Sequence, residues 1–221
     1  MIEFGIAPLD KEFGGIEKGT LLVEGTAGCG KAVLGYHLIN SALGRGEPVI
    51  VVTSSRTPED VKKDLTYYGM KAEPITWIAT VGEVKGENMV QTSIGELYTI
   101  SDAIRKQVEK NKGKKVTVVL DVVSSALMSN SIQQVYKFYS SVVHDLKKAD
   151  VVGFFLMELE MHDPKDIAAM EHSSDMVLQF VVKTEENKGK KGFIIKKKGG
   201  RPVPERVFDF KLTEKGLEVT Q

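Results

Sequence analysis

Five uninterrupted apolar runs, each separated from the next by amphipathic chain, restrict this sequence to few architectures. The runs are Leu21 to Glu24, Pro48 to Thr53, Ile75 to Ala79, Val116 to Asp121 and Val151 to Met157. Strands this uniformly apolar are covered on both faces, as in a parallel sheet flanked by helices. Their alternation with helical segments predicts a doubly wound α/β domain with a mainly parallel central sheet. From Asp175 the pattern changes. Met176 to Lys183, Phe193 to Lys198 and Arg206 to Leu212, separated by the turns Asn187-Lys188-Gly189 and Gly199-Gly200, predict antiparallel strands that extend the sheet.

Helix starts are marked between the strands. Thr57-Pro58-Glu59-Asp60 offers an N-cap, a first-turn proline and first-turn acids, and Asp163-Pro164 repeats the cap with proline. Ser93 with Glu96, and Ser131 with Gln134, have capping-box spacing. Leu97, Ile100, Ile104 and Val108 form one apolar stripe, and Ile132, Val135, Phe138, Val142 and Leu146 another. His37 and His144 on such helices read as packing or surface residues. With no internal repeat and no Pro/Ser-rich linker, residues 1–221 are expected to form a single domain.

One segment carries chemistry. Gly25-Thr26-Ala27-Gly28-Cys29-Gly30-Lys31-Ala32 fits the phosphate-loop pattern G-x-x-x-x-G-K-[ST] at every position but the last. Its context fits too, because the strand-like Thr20 to Glu24 precedes it. Val33, Leu34, His37, Leu38, Ser41 and Ala42 follow at helical spacing until Gly44-Arg45-Gly46. In such a loop glycines turn backbone N–H groups toward the α- and β-phosphates, Lys31 would reach the β/γ-phosphates, and the final hydroxyl would ligate Mg²⁺. Ala32 has no oxygen to give. The expected ligand is ATP or ADP, with Mg²⁺ binding weakened.

Other positions needed for hydrolysis are altered as well. Asp121 ends an apolar strand where a second acid commonly orients Mg²⁺ or its water, and is the metal-side candidate. The tip of the strand from Pro48, expected to lie beside the phosphate loop, reads Thr53-Ser54-Ser55-Arg56, with no acid to position an attacking water. Loss of a metal hydroxyl and of a base removes two separate pieces of transition-state stabilisation, so little or no turnover is expected. An active ATPase would need a hydroxyl from Thr26, Ser54 or Ser55 and an acid such as Glu24.

Composition narrows the partners. Thirty basic and thirty acidic residues give zero net charge, which supplies no global field toward nucleic acid or an anionic membrane. A single cysteine, Cys29, excludes an intramolecular disulfide. It is expected to fill space in the loop, with a lowered thiol pKa as the other reading. Neither a signal-like start nor an 18-residue apolar run occurs, and the chain is expected to be cytoplasmic. Lys188, Lys190, Lys191, Lys196, Lys197, Lys198 and Arg201 form a basic tract, read as phosphate steering or a solvated hairpin edge rather than a nucleic-acid surface. Glu158, Glu160, His162 and Asp163 match no metal-ligand spacing and read as a solvated acidic loop.

Nearly the whole chain resembles the KaiC-like branch of the RecA superfamily, in its single-domain archaeal form. Gly5-Ile6-Ala7-Pro8-Leu9-Asp10 and Phe13-Gly14-Gly15-Ile16-Glu17-Lys18-Gly19 resemble the family's lead into its phosphate loop, and Thr53 to Asp60 is similar to its T-x-E-E-x-P-E-D segment. Asp121 to Leu127 resembles D-S-x-x-A-L, and Phe210 to Val219 the closing F-x-I-T-x-x-G-I-x-V. The resemblance implies a RecA-like P-loop fold and a homo-oligomer, with a hexameric ring as one form. It puts Ser55 and Arg56 where the family has two catalytic glutamates. It also puts Lys196 and Lys198 where a trans-acting K-x-R would meet a neighbour's phosphate, both on one strand face. The implied roles are a nucleotide-occupied regulatory or assembly module, a scaffold that has lost nucleotide, or an ATPase with an atypical base.

Overall fold

A computed structural model describes residues 3–13, 18–83, 85–185 and 188–220. Gly14 to Glu17 of the family-like lead, Asn187 of the expected turn, and Met1 and Ile2 lie outside these. The elements are α1 (Ala7–Phe13), β1 (Gly19–Gly25), α2 (Lys31–Gly44), β2 (Val49–Thr53), α3 (Pro58–Tyr67), β3 (Thr76–Ala79), β4 (Met89–Gln91), α4 (Leu97–Lys110) and β5 (Thr117–Asp121). They continue as α5 (Val123–Ser129), α6 (Ile132–Lys148), β6 (Val152–Glu158), α7 (Pro164–Ser173), β7 (Met176–Glu185), β8 (Lys188–Lys198), β9 (Phe208–Thr213) and β10 (Gly216–Val219).

All strands join one sheet in the order β10-β9-β8-β7-β1-β6-β5-β2-β3-β4. β4, β3, β2, β5, β6, β1 and β7 run parallel to their neighbours, and β7 through β10 are antiparallel. The expected α/β architecture is therefore what the chain adopts, and the expected apolar runs are its central strands. Each is buried on both faces. Leu21 and Val23 join Phe13, Leu34, Leu38 and Leu65 on one side. Leu22 joins Ile100, Val135, Tyr139 and Met170 on the other. Each fully buried Leu, Ile, Val or Phe contributes about 1.5–3 kcal/mol of transfer free energy, so these two layers drive the fold.

The helix caps divide. Thr57 and Ser131 form complete capping boxes with Asp60 and Gln134. Ser93 does not. α4 has Glu96 at its N-cap and no side-chain cap, because the chain between Ser93 and Glu96 closes a backbone turn instead, with the Glu96 N–H donating to the Ser93 carbonyl. Asp163 precedes a first-turn proline as expected but its side chain caps nothing. The α4 and α6 stripes are buried as expected except Val108 and Ile132, which sit at the margins.

The antiparallel end of the sheet folds back onto α2. Leu217 is buried in the same layer as α2, and its N–H donates to Nε2 of His37 at 2.9 Å. Accepting that bond requires a neutral ring, and burial pushes the His37 pKa down accordingly. Phe180, Phe193, Phe208 and Phe210 pack ring against ring on this face.

Candidate functional site

The loop between β1 and α2 has the shape its letters require. Gly28 and Gly30 take left-handed backbone angles, φ 70° and φ 116°, which cost a side-chain-bearing residue about 1 kcal/mol or more. Gly25 is fixed by space instead: a Cβ there would stand 2.7 Å from Cys29 Sγ and 2.8 Å from Phe180 Cβ. Among the described residues the N–H groups of Gly28, Gly30 and Ala32 have no acceptor. Unfilled amides at the start of a 14-residue helix form an anion nest with the positive end of the helix dipole behind it.

Lys31 is buried beneath this loop. Its ammonium donates to the Thr26 carbonyl at 3.1 Å and stands 2.7 Å from Glu158 Oε2. Parallel register sets that encounter, since Gly25 at the end of β1 pairs with Glu158 at the end of β6. Both flanks of Glu158 are pinned: its N–H donates to Ser124 Oγ at 2.9 Å, and the Leu159 N–H to the Gly25 carbonyl at 3.1 Å. Glu158 thus sits on the loop's lysine and is not part of a solvated loop. Sequence reasoning missed it because the pairing joins positions 127 residues apart in chain numbering, from residue 31 to residue 158. A strand-terminal acid on the strand beside the loop was the available signal.

The tips of β5 and β2 complete the site, and β2 does not lie beside the loop as expected, because β6 and β5 stand between it and β1. Asp121 ends β5 and accepts from Ser55 Oγ at 3.1 Å, while Ser54 Oγ donates to the Asp121 carbonyl at 2.8 Å. Burial pushes the Asp121 carboxyl above its ordinary pKa against the pull of the Ser55 hydroxyl and Lys31. Arg56 turns to α3 and α2, donating to Asp64 Oδ2 at 2.5 Å and Tyr36 Oη at 2.6 Å, and lines the cavity that Ala32 and Asp121 also face. The Asp64 carboxyl is held below its usual range, chiefly by that guanidinium. Cys29 is buried and its thiol is pushed up by desolvation, as a space-filling residue requires and an activated thiol does not.

These residues do not fit a Mg²⁺ ion held through a loop hydroxyl. Ala32 presents a methyl group, and the oxygen of Asp121 that faces the tip of β2 already takes the Ser55 hydroxyl. No group of three or more His, Cys, Asp or Glu side chains able to hold a metal occurs among the described residues.

The basic tract separates into parts. Lys191 of β8 reaches the loop, donating to the Gly28 carbonyl at 2.9 Å. The expectation that Lys196 and Lys198 share a strand face fails because the β7/β8 register shifts beside Val177 and Leu178, leaving Lys196 without a partner residue. Lys196 therefore meets Glu24 at 3.1 Å and Glu171 of α7, whereas Lys198 meets Glu12 of α1 at 3.6 Å on the opposite face. Lys197 also faces α7, donating to the carbonyls of Glu171, His172 and Ser174. Glu24 is fully buried with one oxygen unpartnered, and desolvation pushes its pKa up to about 7 despite Lys196. Being tied to Lys196, it is no free acid for the loop.

The chain has relatives in sequence and in fold. A family model described as "ATPase: KaiC" matches residues 2–221. A UPF0273 protein of Thermotoga maritima is 22% identical over 237 residues, covering 99% of this chain and 95% of its own length. The crystal structure of a KaiC-like protein from the archaeon Pyrococcus horikoshii superposes with a TM-score of 0.80 at 17% identity, covering 100% of this chain and 98% of that one. The relatives are thus bacterial as well as archaeal. A loop of this geometry on a RecA-like sheet, matched by a family model from residue 2 to residue 221, places the chain in the KaiC ATPase family.

Proposed function

We propose that this chain binds ATP or ADP in the Gly25 to Ala32 cradle, hydrolyses it little or not at all, and uses occupancy to bias self-assembly or docking of a protein partner. The supporting observation is an open nest of unbonded amides around Gly28, Gly30 and Ala32, set beside strand tips that offer no free base. Ser55 and Arg56, at the positions of the family's glutamates, are engaged with Asp121 and Asp64. Without a base to orient water or a loop hydroxyl to fix a metal, each absent element removes on the order of 10²-fold or more in rate. Binding that favours one assembly state is enough to make nucleotide a switch.

Titration calorimetry with ATP and with ADP tests the binding half, and a phosphate-release assay tests the catalytic half. Binding with no release above buffer is the expected result. Absence of binding to both nucleotides at millimolar concentration overturns the proposal in favour of a scaffold, a reading that the Lys31 to Glu158 pair favours because the chain itself occupies the phosphate lysine. Turnover near one per second would make the protein an ATPase, with Glu158 as the acid nearest the cradle.

A further inference from the structure

Glu158 holds the place on Lys31 that a terminal phosphate would need. We infer that this carboxylate makes the cradle selective for a nucleoside diphosphate over the triphosphate, an assignment that rests on the nucleotide-binding reading above. The lysine of such a loop reaches the β- and γ-phosphates, while the backbone amides serve the α- and β-phosphates. Here the amides of Gly28, Gly30 and Ala32 are available, and the lysine is already paired at 2.7 Å. A diphosphate fills the amides and leaves the Lys31 to Glu158 pair in place. A triphosphate brings further negative charge to a point shared by the Glu158 carboxylate, with Asp121 nearby. Like charges that close repel strongly when partly shielded from water.

Two features limit how that repulsion is relieved. The backbone of Glu158 is fixed through Ser124 Oγ and through the Leu159 to Gly25 hydrogen bond, so only its side chain can swing aside. At position 32 a methyl stands where a hydroxyl would fix a cation bridging the β- and γ-oxygens. Lys191, at the Gly28 carbonyl, adds positive charge on the loop's outer flank, near the amides rather than at the Glu158 carboxylate.

Titration calorimetry of ADP and ATP against the wild-type chain and Glu158→Gln, in buffer with a chelator, reads the ratio of the two dissociation constants. The amide of glutamine keeps the shape and removes the charge. ADP is expected to bind wild type about tenfold or more tightly than ATP, and E158Q to bring the ratio near one, mainly by tightening ATP. Equal affinities in wild type, or a preference that E158Q leaves unchanged, overturn the assignment while leaving nucleotide binding intact. Failure of both proteins to bind either nucleotide overturns the nucleotide reading and this assignment together. Should E158Q not fold, Glu158→Ala is titrated in its place, and a wild-type preference for ADP that this variant leaves unchanged overturns the assignment equally.

Discussion

Single residues in the loop separate what space requires from what chemistry requires. Gly25 is needed for space, so Gly25→Ala is expected to destabilise the fold by about 1–3 kcal/mol, since its methyl would press on Cys29 Sγ and Phe180 at the centre of the sheet. Urea denaturation checks this, and a loss below a few tenths of a kcal/mol would show that the loop yields. Ala32 concerns chemistry. Ala32→Thr returns a hydroxyl to the first turn of α2 and is expected to make nucleotide binding more dependent on Mg²⁺, by at least severalfold in affinity on adding the ion. An identical response to Mg²⁺ in both proteins would remove position 32 from the account. The loop was legible in sequence because its requirements are local: glycine where φ is positive, lysine next to the helix start. Glu158 was not, because its partner is set by strand register and not by neighbouring letters.

Among the elements, β8 and α7 show how a short irregularity redirects side chains. The lysine run at residues 196–198 reads as plain alternation, and an extra residue in one strand is invisible to a period-two pattern. The register shift sends Lys196 and Lys197 together to α7 and Lys198 to α1. Lys197 then meets three carbonyls at the end of α7, where orphan acceptors and the negative end of the dipole concentrate. Lys197→Met keeps the aliphatic stem and loses those bonds. It is expected to cost about 1–2 kcal/mol and to speed amide hydrogen exchange in the last turn of α7. Unchanged exchange there would mean that water serves those carbonyls equally well. The unforeseen elements have similar causes: β4, β10, α1 and α5 are three to seven residues long, too short for periodicity to mark.

The whole molecule carries two opposed linkages between folding and protons, one at its centre and one at its edge. Glu24 lies on β1, between β6 and β7 in the middle of the sheet, and its pKa rises from 4.5 to about 7 because burial outweighs Lys196. A carboxyl raised in the folded state binds protons more tightly folded than unfolded. Its contribution is therefore complete below pH 4.5, declines as pH rises toward about 7, and is flat beyond. His37 runs the other way: its pKa is lowered from 6.5, so folding is favoured above that value and weakened as pH falls below it. The two differ in reach as well as in sign. Glu24 titrates with global unfolding, whereas His37 guards the Leu217 bond that seats β10 on α2. Glu24→Gln retains an acceptor for Lys196 and removes the charge, so its stability advantage over wild type is expected to grow between pH 4.5 and 7 to on the order of a few kcal/mol, then hold constant. Denaturant titrations across that range measure the difference, and parallel profiles for the two proteins would mean that Lys196 holds Glu24 ionised throughout.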